Sequence, residues 1–128
     1  MKLLFDTHAF MWWDSDPSLL SERVLELCQD PENDLILSVV TVWEMQIKSQ
    51  LGKLKFDFPL DELVENQQRI NGIQILPVKL GHVLKLNELP LHHKDPFDRL
   101  LIAQAKMEDA VLLSTDAIFV EYSVELVW

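Results

Sequence analysis

Three short apolar runs, each ended by a polar residue, constrain the fold of this 128-residue chain more than any other feature. Leu3-Leu4-Phe5 stops at Asp6, Leu35-Ile36-Leu37 at Ser38, and Val111-Leu112-Leu113 at Ser114. Runs this short with no polar alternation suit strands covered on both faces, the pattern of a parallel sheet inside α/β layers. The stretches between them carry helical spacing. Ser18 or Ser21 can cap a helix through Leu20, Val24, Leu27 and Cys28, and Val40, Trp43, Ile47 and Leu51 make a stripe ended by Gly52. Leu60 to Asn71 reads as a further helix. Leu80 to Leu89 is another, stopped by Pro90, and Asp95-Pro96 opens a buried one that runs to Met107. Ile73 to Val78, with Pro77 near its end, reads as an edge strand, and Val124 to Trp128 as the last strand. The expected fold is α/β, a three-layer sandwich with a mainly parallel sheet and helices on both faces, forming one domain over residues 1–128.

Composition narrows the function classes. The one cysteine, Cys28, leaves no internal disulfide and no thiol cluster for zinc, which fits a reducing, cytoplasmic setting. Asp6 and His8 break the N-terminal apolar run before it can act as a signal peptide, and no segment is apolar for long enough to span a bilayer. The formal charge of −10 argues against a broad basic face for nucleic acid. Either the acids form a solvated surface, or some of them converge on divalent cations that reverse the local field.

Position separates these readings better than charge does. Parallel α/β sheets gather ligands beyond the carboxyl ends of their strands. Asp6 follows the first strand and Asp116 a later one, while Glu44 and Asp98 lie near the starts of helices. Each also has a structural use. Asp6 and Asp116 can cap turns or helices, Asp98 can belong to a capping box begun by Asp95, and Glu44 can pair with Lys48 one helical turn on. Four caps at one sheet edge would, however, set carboxylates against one another unless a cation compensates. Magnesium, which takes oxygen ligands and keeps several waters, suits a few carboxylates with an open face.

The motifs in order carry a family resemblance. Leu3-Leu4-Phe5-Asp6-Thr7-His8, Ser38-Val39-Val40-Thr41-Val42-Trp43-Glu44, the run from His93-Lys94-Asp95-Pro96-Phe97-Asp98-Arg99 to Ala105, and Leu113-Ser114-Thr115-Asp116 resemble the PIN-domain family, specifically VapC-type toxins of toxin–antitoxin pairs. Residues 52–90 match in layout only. The resemblance implies a ribonuclease dependent on Mg2+ or Mn2+, with Asp6, Glu44, Asp98 and Asp116 as its catalytic, metal-binding acids. It also implies an RNA substrate, a cognate antitoxin as partner, and a homodimer. Asp95 is left as a helix cap. Thr115 is expected to orient a ligand or water, and Lys94 and Arg99 to touch the RNA backbone or to pair with Asp95 and Asp98.

Other features have plainer readings. His92-His93 lacks metal-ligand spacing and adjacent imidazoles should point apart, so no histidine metal site is expected. Trp12, Trp13 and Trp43 read as packing residues, Trp43 as core. Two rival functions remain. A phosphatase with Asp6 as nucleophile would want a second aspartate where His8 stands. A non-catalytic PIN-like module would use the acids only as caps and hold a partner in apolar grooves.

Overall fold

The computed structural model describes residues 1–128. Five strands, β1 (Lys2–Phe5), β2 (Asp34–Ser38), β3 (Gln74–Leu76), β4 (Val111–Leu113) and β5 (Leu126–Val127), form one sheet in the order β3-β2-β1-β4-β5. Every pairing is parallel; Leu4 lies opposite Ile36 on one side and Leu112 on the other. The three apolar runs are thus the three central strands. The order reverses beside β1, so the β1–β4 boundary is the switch point where such sheets open a crevice.

Successive strand residues point to opposite faces, and each face has its own core. Leu3, Phe5, Leu35, Leu37, Val111 and Leu113 pack with helices α1 (Thr7–Ser15), α2 (Glu22–Gln29), α3 (Val39–Gln50) and α4 (Leu60–Asn71). Leu4, Ile36, Leu76 and Leu112 pack with Leu101, Ile102, Ala103 and Ala105 of α6 (Pro96–Met107) and with Phe119 and Tyr122. α5 (Leu80–Lys85) lies on this second side and brings Gly81 against Met107. The result is the expected three-layer sandwich, and no helix is long and apolar enough to cross a membrane.

Local chemistry explains most helix ends. Ser21, rather than Ser18, caps α2 by accepting from the Val24 N–H at 3.1 Å. α4 closes at Gly72, whose φ of 66° is a left-handed conformation that a side chain disfavours. A buried bridge joins β2 to the far layer. The Ser38 hydroxyl donates to Gln104 Oε1, and Gln104 Nε2 donates to the Pro77 carbonyl at 3.2 Å. His82 extends this bridge: Nδ1 accepts from the Lys79 N–H at 3.0 Å, so Nε2 carries the proton and donates to Glu108 at 3.2 Å.

Several expectations need correction. Residues 7–15 form a helix that periodicity does not reveal, because Trp12, Trp13 and Asp14 are all only half-buried. Trp43 is not core: 56% of it is exposed, and it meets Phe97 edge to face at 4.9 Å. The buried arc of α3 is Val40, Thr41, Glu44 and Met45, rotated from the apolar stripe because α3 turns Glu44 inward. The helix expected over 80–89 ends at Lys85 and continues as a 3₁₀ turn, Leu86–Glu88. The outer strands are shorter than expected, at three residues for β3 and two for β5. β3 does lie at the sheet edge. Trp12 and Trp13 do pack on the first core, with the Trp13 Nε1–H donating to Gln67 Oε1 at 3.1 Å.

Candidate active site

Four chain segments deliver carboxylates to one cleft of about 140 Å³ at the carboxyl edge of the sheet. Asp6 ends β1, Asp116 follows β4, Glu44 sits in the second turn of α3, and Asp95 and Asp98 open α6. All five line the cleft, with Thr7, His8, Thr41 and Lys48 among its other polar residues. The four acids singled out in the sequence therefore share one cavity. Glu44, Asp95 and Asp98 each place a carboxylate oxygen within 4.8 Å of the other two. Asp95, read from sequence only as a cap, thus belongs to the cluster as well.

The capping readings hold at the same time for Asp6, Asp116 and Asp95, while Asp98 closes no capping box and its side chain meets His93 instead. Asp6 Oδ1 accepts from the Ala9 N–H at 2.8 Å, Asp116 Oδ1 from the Ile118 N–H at 3.1 Å. Asp95 Oδ1 accepts from the N–H groups of Phe97 and Asp98 at 2.9 and 3.1 Å. A cap uses one carboxylate oxygen, so a capping Asp keeps a second oxygen for the cleft. Glu44 makes the expected pair with Lys48, Nζ to Oε1 at 3.4 Å, and the same oxygen accepts from the Thr7 hydroxyl at 2.5 Å.

Burial and crowding show in the acidities. Asp6 is 8% exposed, and burial pushes its carboxyl above the usual range. The hydrogen bond from the Ala9 N–H, the Ser114 hydroxyl nearby and the charge of His8 work the other way, and the Asp116 charge adds to the rise. Asp98 is pushed up to about 6, first by burial and then by the charge of Asp95, with Glu44 adding to it against His93. Lys48 is the only lysine or arginine lining the cleft, and it is engaged with Glu44. Five carboxylates around a cavity with one lysine make a donor set of hard oxygens with too little positive charge, which fits a divalent cation of the magnesium type.

The expected auxiliary residues fall differently. Thr115 is exposed and does not line the cleft; Thr7 and Thr41, each inside a motif that carries one of the acids, bring the hydroxyls that line it, and Thr7 donates to Glu44. Lys94 is exposed and forms no ion pair with Asp95. Arg99 is 9% exposed, faces neither solvent nor the acids, and donates from Nη1 to the Pro90 carbonyl at 2.8 Å and to Tyr122 Oη at 3.1 Å. Its apolar surroundings on the second core draw the guanidinium to carbonyl and hydroxyl partners. His92 and His93 do not diverge cleanly, since both meet the Tyr122 ring, with centroids at 4.9 and 5.5 Å. His93 Nε2 lies 3.3 Å from Asp98 Oδ2.

An all-parallel α/β sandwich whose strand ends converge on an acid-lined cleft defines the class. Within it, the PIN-domain model matches residues 3–125, and the chain belongs to that family. No curated protein sequence matches it significantly. Among solved structures, it is similar to VapBC2 from Rickettsia felis bound to a promoter DNA fragment, at 16% identity and a TM-score of 0.74, covering 99% of this chain and 98% of that one. VapBC-1 from nontypeable Haemophilus influenzae matches at 17% identity and a TM-score of 0.64, covering 99% and 97%. A toxin–antitoxin complex from Klebsiella pneumoniae matches at 15% and 0.61, covering 98% and 96%. At these identities the likeness speaks for the fold alone.

Proposed function

We propose that this chain is the toxin of a toxin–antitoxin pair, an endoribonuclease that hydrolyses RNA phosphodiesters with Mg2+ or Mn2+ held by Asp6, Glu44, Asp98 and Asp116. One observation carries the reading: carboxylates from four separate segments line a single cleft at the sheet's switch point, with a single lysine among them. Capping explains their backbone bonds but not their convergence. The structural neighbours, which are toxin–antitoxin assemblies, support an antitoxin partner for this chain, and we add that it covers this cleft and that the toxin is a homodimer.

Held by Asp6, Glu44, Asp98 and Asp116, a divalent cation would supply Lewis acidity, for water activation and for charge on the phosphate oxygens. The chain's part is to hold and orient. Asp6 and Asp116 are fixed by their capping bonds, and Glu44 by Thr7 and Lys48. Asp98 stands on the first turn of α6, locked in place by the Asp95 cap before it. Asp95 lies close enough to contribute through a bridging water.

Incubation of the purified protein with mixed cellular RNA tests this. New RNA ends should appear with Mg2+ or Mn2+, vanish with chelator, and fall by at least about a hundredfold in Asp98→Asn, as for loss of a group acting in the transition state. Cleavage that persists in chelator, or in Asp98→Asn, contradicts the proposal.

A further inference from the structure

Arg99, Tyr122 and His93 take no place in the cation reading above, yet they form a continuous line of hydrogen bonds ending on one of its acids. Arg99 Nη1 lies 3.1 Å from Tyr122 Oη, Tyr122 Oη 2.7 Å from His93 Nδ1, and His93 Nε2 3.3 Å from Asp98 Oδ2. Arg99 and Tyr122 are buried, at 9% and 4% exposed, so water does not substitute for these partners.

The direction of every bond follows from the chemistry of the groups. A guanidinium only donates, so Tyr122 Oη accepts from Arg99. The buried Tyr122 O–H proton needs an acceptor, and His93 Nδ1 is the one within reach. A neutral imidazole accepting at Nδ1 carries its proton on Nε2, which then donates to the Asp98 carboxylate. The opposite tautomer would set a bare nitrogen lone pair against that carboxylate and leave the tyrosine proton without a partner. Only one direction satisfies all three contacts. Asp98 Oδ1 has no hydrogen-bond partner in the protein, so the relay occupies one oxygen and leaves the other to the cleft.

We propose that Arg99, Tyr122 and His93 form a one-way relay that locks the His93 tautomer and fixes the orientation of the Asp98 carboxylate. They are positioning residues. The inference rests on the reading of Asp98 as a cation ligand and adds the outer groups that aim it, in the manner of partners that orient metal ligands elsewhere. The relay also gives Arg99 a use other than RNA contact.

Two readouts test it on the full chain. Long-range proton–nitrogen NMR of the metal-free protein, at a pH where imidazoles are neutral, should show His93 as the Nε2–H tautomer. Tyr122→Phe keeps the ring and deletes the hydroxyl; Asp98 still favours the Nε2–H tautomer, but the His93 Nδ1 nitrogen resonance should shift as its lone pair loses the tyrosine donor, and the Kd for Mn2+ measured by calorimetry should rise about tenfold. His93→Gln, which can still present an N–H to Asp98, should stay within about threefold of the wild type, while His93→Leu should lose about tenfold. The glutamine–leucine comparison carries the test if Tyr122→Phe fails to fold. An Nδ1–H tautomer in the wild type, or an unchanged Nδ1 resonance and Kd in Tyr122→Phe, overturns the relay. So does equal Mn2+ affinity in the glutamine and leucine variants. A wild type with the Nε2–H tautomer, whose Nδ1 resonance moves in Tyr122→Phe but which binds no Mn2+, supports the relay and overturns instead the cation reading.

Discussion

Replacing Asp98 with asparagine should stabilise the metal-free protein while removing its response to metal. The Asp98 carboxyl sits at about 6 against an ordinary 3.8, through burial and then the charges of Asp95 and Glu44. Two pKa units correspond to about 3 kcal/mol. The side chain is 24% exposed, and screening by solvent reduces this to about 1–2 kcal/mol. A negative charge in the first turn of α6 regains roughly 0.5 kcal/mol from the helix dipole, which asparagine forfeits. The net gain is about 1 kcal/mol, or about 3–5 °C in Tm for a chain of this size. The sign fixes the pH window. A carboxyl whose folded-state pKa is raised costs nothing below the unfolded value, costs progressively more from about 4 to about 6, and costs its full amount above that. The wild type should therefore lose stability relative to Asp98→Asn as pH rises through that window, and the two should melt together near pH 3. Added Mn2+ should raise the Tm of the wild type by mass action and leave the variant unmoved. Thermal melts of both proteins across pH, with and without Mn2+, measure all of this. An asparagine variant less stable than the wild type at neutral pH would refute the reasoning and make Asp98 an ordinary helix-start acid.

Other consequences can be checked separately. Cys28 is 6% exposed and its thiol is pushed up to about 12 by burial, so a thiol reagent at mildly alkaline pH should modify it only after unfolding; rapid labelling of the native protein would contradict this. Trp43→Ala should cost about 1 kcal/mol by urea melt, the loss of one edge-to-face contact, where a core tryptophan would cost about 3–5. Glu108 is held below its usual 4.5, chiefly by the hydrogen bond from His82. It contributes stability that is present above 4.5 and lost as pH falls through its depressed value, so Glu108→Gln should be destabilising at neutral pH and match the wild type in acid.

The sheet was legible because burial on both faces leaves a local mark, an unbroken apolar run with a polar stop. The cleft acids were legible for the related reason that they occupy the stops, where backbone donors and an open edge coincide. Helix faces were harder to read. Trp43 sits on the apparent stripe of α3, but tertiary placement turned Glu44 inward and left the indole outside. α1 leaves no periodic mark in the sequence because its cap, Asp6, also ends a strand and its aromatic pair is only half-buried. Arg99 next to Asp98 looks like an ion pair in one dimension. In three, it is one helical step round, facing Tyr122 across the second core. Asp95 and Thr7 lie close to the predicted acids in sequence, but proximity along the chain alone does not show whether a side chain turns toward the cleft.

Whether the carboxylates share a cation decides what this cleft does. Anomalous diffraction from crystals soaked in Mn2+ addresses this directly. It should show a peak in the cleft within about 2.0–2.3 Å of oxygens from Asp6, Glu44, Asp98 or Asp116. A cleft without Mn2+ at a concentration that saturates calorimetric binding, or a peak held instead by His92 or His93, would contradict the central claim.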